Sequence, residues 1–171
     1  MKTYFLLPLF ILIAFSDNLK AQSNDILKLL NEKNTPISKK SEPIGSLDEN
    51  VLFDVLTVEN MIDGNVLHGL VLTVVRGGYP YYNVLDKAEI QTFIKALKRV
   101  ESKLNDEEFR TSAFKMTSGS GISFSSKYDS SGIWIHKLEL IKNSNEAIYS
   151  FGNKGLNQLV SNLELAIAKI K

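Results

Sequence analysis

The chain has 171 residues, with 20 basic and 19 acidic side chains, two histidines and no cysteine. A formal charge of +1 lacks the cationic excess of a nucleic-acid binder. The missing thiols exclude disulfides, thiolate metal sites, cysteine nucleophiles and a lipid-bearing N-terminal cysteine. With 44% hydrophobic and 23% charged residues, the composition is that of a folded domain.

The N-terminus has three zones. Lys2 supplies a positive start, positions 4–15 (YFLLPLFILIAF) are uncharged and mostly apolar, and positions 16–21 are a more polar stretch ending in Ala21. This zoning is that of a secretory signal peptide, with cleavage expected between Ala21 and Gln22. Leu19 departs from the pattern, since a small residue is preferred there. The apolar run is shorter than the roughly 20 residues of a spanning helix, and Asp17 and Lys20 close it. Cleavage removes Lys2, Lys20 and Asp17, leaving 18 basic and 18 acidic side chains. The expected product is a periplasmic or secreted chain with no membrane span, large enough to hold a core without disulfides.

Positions 23–33 predict a short helix that groups Ile26, Leu27, Leu29 and Leu30, with capping residues at 23–25. Positions 34–50 (NTPISKKSEPIGSLDEN) carry two prolines, a glycine and mixed charge, and read as a linker arm completing a 22–50 segment. A single α+β domain is expected over 51–171.

Its first strands are 51–60 and 66–75, joined by a turn at Asp63-Gly64. Arg76-Gly77-Gly78 forms the next turn, and 79–85 a short strand whose Pro80 marks an edge or a strand entry. Positions 86–104 predict the strongest helix. Asp86 and Glu89 form its capping pair, while Ile90, Phe93, Ile94, Leu97, Val100 and Leu104 share a face.

Four more strands are expected at 109–117, 121–128, 132–142 and 146–151, with turns at 118–121, 129–132 and 143–145. Asn153 is expected to cap a terminal helix with Leu156, Leu159, Val160, Leu163, Ile167 and Ile170 on one face. A shift of 66 residues lays one amphipathic helix over the other, a pattern compatible with a duplicated unit. The fold class is therefore α+β: a mainly antiparallel sheet of about seven strands, two amphipathic helices on one face, in the order strands, helix, strands, helix.

Catalytic patterns are missing. His68 and His136 lie in strands without the spacing that gathers zinc ligands. Ser118-Gly119-Ser120-Gly121 has the wrong order for a serine elbow and joins two strands, so it reads as a turn. Arg76-Gly77-Gly78 can present N–H groups to an anion, although no helix follows it. Asp54 shares its strand face with apolar residues but has no visible partner.

The expectation is an exported, non-catalytic domain that binds a protein, a glycan or a small ligand of the cell envelope, with no cofactor and no metal. Its ligand-binding candidates are Arg76, Tyr79, Tyr81, Trp134 and His136, an arginine at a strand turn and aromatic side chains suited to sugars or peptides. Two alternatives stand beside it. A small envelope or extracellular hydrolase would use Asp54, His68 or His136, and an assembly protein would pair through an edge strand near 79–85.

Overall fold

Two-residue alternation writes the first sheet. In β2 (Val51–Asn60), Val51, Phe53 and Val55 face one side, and Leu56 and Val58 the other. The neighbouring β3 (Val66–Arg76) and β4 (Tyr79–Leu85) repeat the pattern. Leu70, Leu72, Val74 and Leu85 face inward, and Val84 outward. A sheet apolar on both faces needs cover on both, and it has it.

The structure, a computed structural model, describes residues 24–170, so the expected signal at 1–21 lies outside the described residues. After α1 (Asp25–Asn31) come β1 (Ile37–Leu47), β2, β3, β4 and α2 (Lys87–Lys103). The chain continues through β5 (Ala113–Thr117), β6 (Ser123–Tyr128), β7 (Trp134–Glu139), β8 (Ile148–Phe151) and α3 (Asn153–Lys169). The α+β class holds, but the strands form two four-stranded antiparallel sheets, ordered β1-β2-β3-β4 and β5-β6-β7-β8, instead of one sheet of about seven.

The additional strand is β1, which corrects the reading of 34–50 as a linker. It pairs with β2 along its length, from Ile37 opposite Asn60 to Leu47 opposite Val51, with an irregularity between Pro43 and Gly45. Its polar composition is that of an edge strand, where lysines and a proline keep other chains from adding on. Helix α3 covers its far end, as Gln158 Nε2 and Asn162 Nδ2 donate to Ser46 O at 2.7 and 3.0 Å.

Helices α2 and α3 have 17 residues each and begin 66 residues apart, so each sheet is followed by a helix of equal length. Both sheets and both helices contribute to one core that includes Phe53, Leu72, Phe93, Leu97, Phe124, Leu138, Leu159 and Leu163. Complete burial of a side chain such as Phe53 is worth roughly 1.5–3 kcal/mol. Helix α1 lies on the opposite face of the first sheet, with Ile26 and Leu29 against Leu56, Val58 and Val84. Gly69 permits that approach, because a Cβ there would collide with Ile26 and stand 2.8 Å from Leu85 O.

Helix α2 starts with the expected capping box, in which Glu89 N donates to Asp86 Oδ1 at 2.8 Å and Asp86 N to Glu89 Oε2 at 3.0 Å. Glu89 also accepts from Asn24 Nδ2 at 2.8 Å and from Ser120 N at 2.6 Å, tying α1 and the β5–β6 turn to the helix start. The cap of α3 differs from expectation. Gly152 occupies that position, and Asn153, the first helical residue, meets His136 Nε2 through its Oδ1 at 3.0 Å.

Candidate functional site

Where the tip of the β1–β2 hairpin, the end of β3 and strand β8 converge, a cleft of about 350 Å³ opens. Its lining is Asn50, Val74 to Arg76, Asn145 and Ile148 to Ser150. One wall comes from the first sheet and the other from the second.

The hairpin tip is held in an uncommon shape. Asp48 and Glu49 have φ of 48° and 61°, the left-handed region, at two successive non-glycine positions. A tight hairpin of this hand normally has asparagine or glycine there. The turn presents Asn50, whose C=O accepts from Val75 N at 3.1 Å. Asn50 Nδ2 donates to Asp48 O at 2.6 Å and to Tyr149 Oη at 3.4 Å, and Tyr149 Oη donates to Asp48 Oδ2 at 3.2 Å. Burial, reinforced by the Asp48 carboxylate, raises the Tyr149 phenol above its ordinary pKa. The phenol therefore keeps its proton at neutral pH.

Arg76, the last residue of β3, crosses the floor of the cleft. Its Nη1 donates to Asn145 O at 3.0 Å and to Ile148 O at 3.4 Å. A guanidinium has five N–H donors, so most remain available once this one nitrogen is engaged. Among the described residues, Arg76 is the only charged one in the lining. Beside the cleft, Tyr81 Oη donates to the Glu146 carboxylate, which raises the Tyr81 pKa.

The structure brings together three of the five ligand-binding candidates. Arg76 and Tyr79 are direct partners across β3 and β4, and Tyr81 lies two residues along the same strand face. Tyr79 is 70% exposed. Trp134 and His136 are elsewhere, in the interior of the second sheet. Trp134 Nε1 donates to Leu104 O at 2.9 Å, and its ring packs on Phe109 and Tyr128. His136 has no exposed surface and lies between Phe124 and Phe151. Neither side chain reaches the cleft.

The residues of the hydrolase alternative are likewise apart. Asp54 points to the outer face of the first sheet and His68 to the inner, where its Nδ1 meets Thr57 Oγ1 at 3.1 Å. His136 is in the second sheet. Among the described residues no group of three or more His, Asp or Glu side chains could hold a metal, and no helix is long and apolar enough to cross a membrane. The edge proposed for assembly belongs to β4, the last strand of its sheet, whose Asn83 side chain turns inward and donates to Ser120 O and Leu140 O at 3.0 and 2.8 Å.

Sequence reasoning missed Asn50, Ile148, Tyr149 and Ser150. The run Asp48-Glu49-Asn50 would have stood out as a hairpin tip had 37–47 been read as a strand. Fold and cleft thus define a two-sheet α+β domain with a groove between the sheets. No family model matches the chain, and no curated protein is similar to it in sequence.

Proposed function

We propose that the protein is an exported, non-catalytic binding module whose ligand occupies the cleft between the two sheets. The observation that carries this reading is the convergence of Arg76, Asn50 and Tyr149 around one opening of about 350 Å³. Polar side chains of Asn50, Arg76, Asn145, Tyr149 and Ser150 line it beside Val74, Val75 and Ile148, so a ligand there would find both hydrogen-bond partners and apolar contact. The left-handed Asp48 and Glu49 favour the same location, because unusual backbone tends to persist where a site needs it. A non-catalytic role fits the separation of Asp54, His68 and His136, which leaves hydrolysis without a cooperating pair. Export rests on the zoned N-terminus at 1–21.

Two measurements test the reading. Backbone NMR of the purified protein, titrated with short peptides, glycan fragments and small metabolites, should shift signals at 74–76 and 148–150 for at least one probe. Perturbation confined to other surfaces, or turnover of a probe, overturns it. Mass spectrometry of the protein recovered from the envelope or medium should find Gln22 at the N-terminus. An intact Met1 in the cytosol removes the export half.

A further inference from the structure

The hydrogen-bond parity of β8 identifies what the cleft can hold. Leu140 N donates to Ala147 O at 2.9 Å, so Ala147, Tyr149 and Phe151 direct their backbone groups toward β7. The alternate residues, Ile148 and Ser150, direct theirs away from β7. Ile148 O confirms the direction by accepting from Arg76 Nη1 across the cleft. Among the described residues, β8 is the last strand of its sheet and pairs with β7 alone. The Ser150 N–H and C=O therefore face the opening, on an exposed residue that lines it.

We infer that the cleft accepts an extended peptide segment, which adds as a further strand along the free edge of β8 and presents an oxygen to Arg76. The inference rests on the binding-module reading and names its ligand class. Strand addition takes its affinity from main-chain pairing, and Ser150 supplies one donor and one acceptor for it. Arg76 stands two residues along the same edge, about 7 Å away for extended chain. Its remaining donors suit a peptide carbonyl or, with charge assistance, a C-terminal carboxylate. The β1–β2 tip and the end of β3 close the opposite side, so the ligand lies between the sheets instead of extending one of them into solvent.

The test uses acetylated tetrapeptides rich in valine, as free acids and as amides, titrated into the purified protein and followed by NMR. Both forms should shift Ile148, Ser150 and Arg76 signals. Ser150→Pro removes an N–H that β7 does not use, and should abolish binding of both while Trp134 fluorescence shows an intact fold. Should that variant fail to fold, Ser150 N-methylation by semisynthesis removes the same hydrogen. Arg76→Gln should weaken the free acid about tenfold more than the amide if a chain terminus is the ligand, and both equally if an internal segment is. Peptides that leave 148–150 unmoved, while a glycan or metabolite shifts the cleft, overturn the peptide inference and spare the binding module. A cleft that responds to no probe overturns both.

Discussion

Gly45 of β1 lies so close to Asn162 of α3 that a Cβ at position 45 would stand 2.5 Å from Asn162 Oδ1. Asn162 is buried and uses its Nδ2 to hold Ser46 O, so moving its side chain aside works against that bond. Gly45→Ala should break that hydrogen bond and lower stability by about 1–2 kcal/mol. Urea denaturation followed by Trp134 emission reads the effect, and an unchanged midpoint contradicts it.

Glu89 is a second joint, 8% exposed, and Asn24 Nδ2, Asp86 N and Ser120 N, the partners of its carboxylate, are all donors. Glutamine keeps the shape but offers one oxygen and an NH2, which would meet one of those donors head on. Glu89→Gln should therefore cost about 2–3 kcal/mol, nearly as much as Glu89→Ala. Equilibrium denaturation of the two variants side by side checks this. A glutamine variant close to wild type shows the carboxylate to be dispensable.

Ser126 and His136 face each other across β6 and β7, and Ser126 Oγ and His136 Nδ1 are buried without a hydrogen-bond partner among the described residues. Removing the hydroxyl takes away an unsatisfied polar group and leaves a space smaller than a methyl. Ser126→Ala should leave stability unchanged or raise it by up to about 1 kcal/mol. A clear loss of stability in a thermal melt would show that the hydroxyl has a partner after all.

Burial lowers the pKa of His136 below its ordinary value of 6.5, and the hydrogen bond that its Nε2 donates to Asn153 Oδ1 only partly offsets this. The unfolded chain takes up the proton near pH 6.5 and the folded chain only at lower pH. Between those points the unfolded state binds more protons, so stability falls as pH drops. Denaturation midpoints measured from pH 7.5 to 5.5 should decline in the wild type and decline less in His136→Gln. Parallel curves would assign the decline to other groups.

The hairpin turns and α2 were legible because local chemistry dictates them. Asp63-Gly64, Asp129 to Gly132 and the Asp86–Glu89 pair act within a few residues of themselves. Strand β1 was not, because an edge strand pairs through its backbone while its side chains, Lys39, Lys40 and Glu42 among them, stay polar and exposed. The division into two sheets depends on which strands fail to pair, and no local pattern records that. Alternation along β7 does place Trp134, His136, Leu138 and Leu140 on one side, a sign that the first two belong with the core leucines and not with a ligand. The cleft left little trace, since Asn50, Val75, Asn145 and Ser150 acquire meaning only from being neighbours.

The shared interior has a consequence for how the chain comes to be folded. Leu156, Leu159, Leu163 and Ala166, which share the core with both sheets' inner residues, belong to α3 and are synthesised after every strand they help to cover. Until they emerge, Phe53 and Phe124 have no complete covering, and a growing chain holding the first sheet and α2 is still an open sandwich. Closure must wait for α3, so a chain broken off before that helix would leave a body that cannot shut.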